Sequence, residues 1–250
     1  MLELDLNLWQ AQSLRLTVFL DDQSFLSRSL ETLASDLWAS LVETEPDRMN
    51  LQLKDRRVVI EDTLDQDNLR LDIEGNKLSW VVFPFFRPEV QKLPVLGSYL
   101  DVVNDFSKKM ESWLTSSCPE INRLAFGSVL LFPKKNRTSV LETLDELLPS
   151  LNLDVENTND LLYRINRRRR SKSGNEGILI NRIATWSGVE MSVEDSSDGS
   201  RKPLAFACCV NLDINTIQES PQVFDVELRS TLFAELLLNS NEIARHGDIP

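Results

Sequence analysis

One histidine, three cysteines and eight glycines in 250 residues leave little for the familiar catalytic chemistries to use. The histidine, His246, stands close to the C-terminal end, where it is expected beyond the last helix on a solvated tail. A general base or metal ligand there has no fixed geometry. Ser/His/Asp and Cys/His triads would both need that same side chain. No CxxC accompanies it, so the usual zinc sites lack a ligand set. The glycines form neither GxxxxGK[ST] nor GxGxxG, which leaves nucleotide binding without a motif. No catalytic residue, metal or cofactor is therefore expected, and the chain reads as something other than an enzyme.

The cysteines are equally uninformative as a framework. Cys208 and Cys209 are neighbours on an expected strand and so point to opposite faces, and Cys118 precedes Pro119. An odd count without framework spacing reads as reduced thiols. Long apolar runs are missing too, and MLELDLNLWQ has neither a basic start nor an unbroken apolar core. Neither a secretory leader nor a membrane span is expected, and the predicted location is cytoplasmic. Asn136-Arg137-Thr138 matches a glycosylation sequon, which matters only in a secreted chain.

Positive charge is also scarce, with a net charge of −12 and a pI near 4.7. That balance argues against general coating of nucleic acid, whose phosphates are met by Lys and Arg. One stretch departs from it. Arg164, Arg167, Arg168, Arg169, Arg170 and Lys172 fall between Tyr163 and Ser173 with no acid among them. They lie in the segment 161–189, which reads as two strands joined by the polar turn Ser171–Gly177. Within a strand, Arg168 and Arg170 point one way and Arg167 and Arg169 the other. Charge on both sides cannot be core, so the tip is expected in solvent or against a partner, and mobile in the free protein. Replacing Arg167–Arg170 with serine is then expected to change stability by less than about 1 kcal/mol. Arg182, flanked by Ile180, Ile183 and Ala184, reads instead as a buried and paired arginine.

Periodicity sets the fold expected of the remainder. Leu2, Leu4, Leu6 and Leu8 alternate with polar residues, and Leu14, Leu16, Val18 and Leu20 continue as a second strand. Leu26, Leu30, Leu33, Leu37 and Leu41 recur at helical spacing after the capping types Asp21–Ser24. Strands are predicted at Leu51–Ile60, Leu69–Ile73 and Leu78–Phe83, the last two joined by the hairpin turn Glu74-Gly75-Asn76. A helix is predicted from Ser98 to Thr115. A strand at Asn122–Phe132, a helix at Arg137–Leu148, the two strands of 161–189, a strand at Leu204–Ile214 and a helix from Val226 to Arg245 complete the order. The acidic group Glu61, Asp62, Asp65 and Asp67 lacks calcium-loop spacing and reads as a solvated loop. Asp195–Gly199 reads as a turn.

The predicted class is α+β, with antiparallel sheets and helices packed on one face. Residues 1–118 and 119–250 read as two closely packed halves of like topology, or as one domain built from them, each half strand, helix, three strands, helix. The strings NRLAFGSVLLF and LINRI, with FACCVNLDIN before an amphipathic helix, resemble a sporadically distributed family of uncharacterised bacterial proteins. The chain departs from that family's pattern at Arg123 to Ser128, where the family carries an arginine-to-asparagine segment. The resemblance implies a similar length and a patchy distribution of the kind seen for mobile or antiviral-defence genes, and it implies no catalytic residues. The expected function is a non-catalytic accessory subunit that docks to a protein partner, a larger complex or a homo-oligomer, through the basic hairpin, with no membrane role. The alternative is an accessory protein that contacts nucleic acid through the same arginines.

Overall fold

Alternating apolar and polar residues write the strands of this chain, and every strand pairing is antiparallel. The computed structural model describes residues 3–21, 28–64, 67–85, 92–174, 177–194, 200–218 and 222–248. Among these residues, eleven strands form one open sheet. In chain order they are β1 (Gln10–Leu20), β2 (Arg48–Gln52), β3 (Arg57–Leu64), β4 (Asp67–Glu74), β5 (Lys77–Pro84) and β6 (Gly97–Ser98). They continue with β7 (Ile121–Lys134), β8 (Leu162–Asn166), β9 (Arg169–Arg170), β10 (Ile178–Glu194) and β11 (Arg201–Gln218). The helices are α1 (Leu30–Ala39), α2 (Tyr99–Ser116), α3 (Arg137–Leu147) and α4 (Val226–His246). The sheet runs β2-β3-β4-β5-β1-β7-β11-β10-β8, with β6 on β1 and β9 on β10.

The helices cover one face. Phe126 of β7 meets Phe106 of α2 and Phe233 of α4, with ring centroids 6.4 and 6.3 Å away. Trp80 of β5 meets Trp38 of α1 and Trp113 of α2 at 5.9 and 6.0 Å. The Cys208 thiol of β11 donates to the Val140 carbonyl of α3 at 3.4 Å. Register puts Ile60, Leu71, Trp80, Leu16, Phe126 and Ile214 side by side across six strands, all buried. The next position in that apolar row, on β10, is Arg182. No helix among the described residues is long and apolar enough to cross a membrane.

Several expectations are corrected. The alternating start is not a strand: Leu6–Leu8 form a 3-10 turn, because Asp5 accepts from the Asn7 amide and starts it. Leu4 and Leu6 are buried all the same, and Leu2 lies outside the described residues. Helix α1 begins at Leu30 with Ser29 as its cap, and residues 22–27, part of the expected cap and first turn, lie outside the description. The single strand expected over Leu51–Ile60 is two, β2 and β3, parted by the turn Leu53–Asp55 and by Arg56 at φ 47°. Four charged residues in a row, Lys54–Arg57, favour that break. Four principal strands therefore follow α1, not three, and the sheet is one rather than several. Glu61, Asp62 and Asp67 lie in strands, not in a loop. Asp65, the Asp195–Gly199 turn and residues 175–176 of the hairpin turn are outside the description. His246 is in the last turn of α4 and half-buried, not on a tail. Gly247 then closes the helix at φ 74°, and the Asp248 amide donates to the Leu147 carbonyl at 2.9 Å.

Candidate functional site: the arginine row and the open sheet face

Strand register sorts the arginines into two sets. Arg164 and Asn166 of β8 lie opposite Thr185 and Ile183 of β10, and Arg169 and Arg170 of β9 lie opposite Ile180 and Leu179. Because side chains alternate, Arg164, Asn166, Arg168 and Arg170 take the face that carries no helix among the described residues. Tyr163, Ile165, Arg167 and Arg169 take the helix face. Arg164, Arg168, Arg170 and Lys172 are exposed, whereas Arg167 and Arg169 are half-buried.

Charge on both sides of the strand does not mean solvent on both sides. Acids of α4 and its C-terminal turn meet the inner set. Arg167 donates from Nε and Nη2 to the two oxygens of Asp248, at 2.8 and 2.9 Å, and Tyr163 donates to Asp248 Oδ2 at 3.0 Å. The Asp248 carboxylate raises the Arg167 pKa by hydrogen bonding and by charge. Arg169 Nη1 lies 2.8 Å from Glu242 Oε2, and the Ser171 hydroxyl and Lys172 amide donate to Glu235 at 2.6 and 2.8 Å. Arg182, 1% exposed, sits 3.4 Å from Glu242 Oε1. Burial lowers its pKa, against the pull of Glu242. The expectation that Arg167–Arg170 all face solvent or a partner is thus corrected for Arg167 and Arg169, whose ion pairs tie the hairpin to α4 and the turn after it.

The outer set is held differently. Arg168 Nε donates to Asn181 Oδ1 at 3.2 Å, and Asn166 Nδ2 donates to the same oxygen at 2.9 Å. Asn181 in turn donates to Asn215 Oδ1 at 3.0 Å, which also accepts from Arg123 Nη2 at 2.9 Å. The Arg123 guanidinium lies over the Phe19 ring, 4.6 Å from its centroid. A continuous polar chain therefore crosses from β8 through β10 and β11 to β7. Amides anchor Arg168 and Arg123 in this chain, so the contacts fix their geometry without neutralising them. Arg15 on β1 lies across Gly127, where an added Cβ would come within 3.1–3.5 Å of its guanidinium.

The other end of the same face is balanced. Arg57 pairs with Asp72 at 2.6 Å and Arg70 with Glu61 at 2.5 Å. Net positive character therefore gathers over β7 to β10, where Arg123, Arg164, Arg168 and Arg170 outnumber Asp213, whose carboxylate accepts from Asn215 at 3.1 Å. Sequence reasoning found the hairpin arginines but missed Arg123, the asparagines, and the acids of α4. One signal was present: the tripeptide Ile-Asn-Arg occurs at 121–123, at 165–167 and at 180–182. The copies at 165–167 and 180–182 turn asparagine to the open face and arginine toward α4, whereas the copy on β7 turns Arg123 to the open face.

The thiols have little reactivity to offer. Burial pushes Cys118 and Cys208 up to about 12, and raises Cys209 as well. No three His, Cys, Asp or Glu side chains among the described residues gather as a metal-binding group. No family model, curated protein or solved structure matches the chain.

Proposed function

We propose that this protein is a non-catalytic accessory subunit that docks onto an acidic patch of a protein partner. The docking groups are Arg164, Arg168 and Arg170 on the open face of the basic hairpin, with Lys172 at its tip and Arg123 further in. The observation that carries this reading is the amide chain Arg168–Asn181–Asn215–Arg123, which holds guanidinium groups in place while leaving their charge available. Arginine forks so oriented suit carboxylates, and a local basic row on an acidic protein favours a local acidic patch over a long polyanion. Charges further apart than about 8–10 Å are largely screened at physiological salt, so the row acts at contact range.

Contact with nucleic acid is the second reading, because the row spans several strands and ends on an arginine stacked over Phe19. The resemblance of NRLAFGSVLLF, LINRI and FACCVNLDIN to a sporadically distributed bacterial family supports a setting in a cytoplasmic multiprotein system of the antiviral-defence kind. We also read residues 1–118 and 119–250 as one topology used twice. In each half the first strand pairs with the last long strand, β1 with β5 and β7 with β11, and the two first strands meet near the centre of the sheet.

The test is affinity capture from lysate with nuclease treatment, comparing the natural chain with Arg164→Ser/Arg168→Gln/Arg170→Ser. The glutamine amide introduced by Arg168→Gln would still donate to Asn181, so the variant should fold. A partner that survives nuclease and is lost with the variant is the expected result. Retention of the same partner by the variant overturns the docking site. Loss of the partner on nuclease treatment, with a steep salt dependence for a single-stranded oligonucleotide, favours the second reading.

A further inference from the structure

The helix-covered side of the sheet holds a cavity of about 770 Å³. It lies between the segment that follows α1 and the N-terminal half of α2, over β4 and β5. Its walls include Val42, Leu69, Val82, Phe106 and Met110. Carboxylates surround it: Glu43 after α1, Asp67 on β4, and Asp101 and Asp105 on α2, with Lys109 the one basic residue of the lining among the described residues and Lys108 3.9 Å from Asp105. Asp101 and Asp105 are one helical turn apart and both exposed. The cavity is thus apolar in its body and acidic at its rim, opposite in sign to the arginine row on the other face.

A second feature lies in the lining. Ser98 is the N-cap residue of α2, yet its side chain makes no capping hydrogen bond. Its hydroxyl is buried without a hydrogen-bond partner, while the residue itself belongs to the cavity wall. A buried, unused hydroxyl oxygen is a standing acceptor, and leaving it so is unfavourable. The volume lies in the range of small-molecule sites, which are commonly apolar with a few convergent polar groups.

We propose that this cavity binds a small amphiphilic organic cation. The apolar body lies against Val82, Phe106 and Met110. The ammonium group sits at the carboxylate rim. An anionic ligand of the same shape is disfavoured, because the four carboxylates outnumber Lys108 and Lys109 around the rim. The proposal is independent of the docking reading, since it uses the opposite face of the sheet and none of the hairpin arginines.

The test is isothermal titration of the whole chain with octylammonium, octanoate and octanol as matched probes. Octylammonium is expected to bind at one saturable site, octanol more weakly and octanoate weakest. Asp101→Asn/Asp105→Asn should weaken octylammonium by about tenfold, the scale of two partly exposed ion pairs, and leave octanol unchanged. Val102→Trp, which fills the lining from α2, should weaken both. Should Val102→Trp lower the melting midpoint, the aspartate variant decides alone, because its positions are exposed. No saturable binding of octylammonium, equal binding of octylammonium and octanoate, or undiminished binding by the aspartate variant overturns the proposal.

Discussion

Arg167 grips Asp248 with two hydrogen bonds, 2.8 and 2.9 Å long, and thereby fastens the edge of the sheet to the end of the last helix. The Asp248 side chain is 2% exposed and that of Arg167 32%, so the pair sits at the boundary of the interior. The contact joins residues 81 apart in sequence. It turns what reads as a loose basic tip into a hairpin docked along one side.

Breaking that pair should be costly in one direction. Arg167→Ser leaves a nearly buried carboxylate with Tyr163 as its side-chain donor among the described residues, and a buried charge that loses its partner is strongly destabilising. Discounting for the partial exposure of Arg167, a loss of about 2 kcal/mol is expected in urea denaturation. Arg164→Ser/Arg168→Gln, on the open face, should cost less than about 1 kcal/mol. Equal losses for the two variants would show that the faces do not divide the arginines as described.

The elements were largely legible in sequence because their causes are local. The period of Val103, Phe106, Met110 and Trp113 gives α2 to within a residue at each end, and Glu74-Gly75-Asn76 announces the β4–β5 hairpin. The alternation at Leu2–Leu8 misled because a few apolar residues can be buried by a capped turn as well as by a strand. What was not legible depends on distant partners. Nothing near Arg167 in sequence names Asp248, nothing near Arg169 names Glu242, and nothing near Arg168 shows that asparagines of β10 and β11 will carry its row to Arg123. The joining of β1 to β7, which makes one sheet of two sets of strands, is likewise a property of the whole chain.

Gly247 is a position where backbone freedom is required. Its φ is +74°, and a Cβ there would stand 2.1 Å from the Leu147 carbonyl oxygen. Gly247→Ala should therefore lower stability by about 2–4 kcal/mol, combining an unfavourable backbone region with a clash against main chain. The displaced turn would also pull Asp248 from Arg167, so Gly247→Ala and Arg167→Ser should be less than additive. Full additivity in a double-mutant cycle would show that the turn and the ion pair are independent.

Alkaline pH should weaken the fold. Cys118 and Cys208 are pushed up to about 12 by burial, from ordinary values of 9.0. Above pH 9 the unfolded thiols ionise while the folded ones stay protonated, so the unfolded state binds fewer protons. Their contribution is fully present below about pH 9 and is lost as pH rises toward 12. The buried Tyr99 hydroxyl, also raised by desolvation, adds a loss of the same sign at higher pH. Urea midpoints at about pH 8 and about pH 10.5 should show the fall, and Cys118→Ala/Cys208→Ala should flatten it. An unchanged slope in the double variant would assign the fall to other groups.

Arg182 should behave in the opposite way to Arg167. It occupies the end of the buried row Ile60–Leu71–Trp80–Leu16–Phe126–Ile214, where an apolar residue is the ordinary occupant. Its Nε, Nη1 and Nη2 atoms are buried without hydrogen-bond partners, and its nearest acid, Glu242, lies 3.4 Å away. Glu242 does not depend on it, because Arg169 stands closer, at 2.8 Å. Replacing a poorly paired buried charge by an apolar side chain of similar volume is often neutral or stabilising by about 1–4 kcal/mol, provided the remaining partner keeps a counter-charge. Arg182→Met is therefore expected to leave stability unchanged or raise it, measured by urea midpoint at neutral pH. Arg182→Met with Arg169→Ser should be destabilised, since Glu242 then loses both cations. Should Arg182→Met alone lower stability by more than about 2 kcal/mol, Arg182 rather than Arg169 is the group that holds Glu242, and the hairpin is fastened from the interior outward.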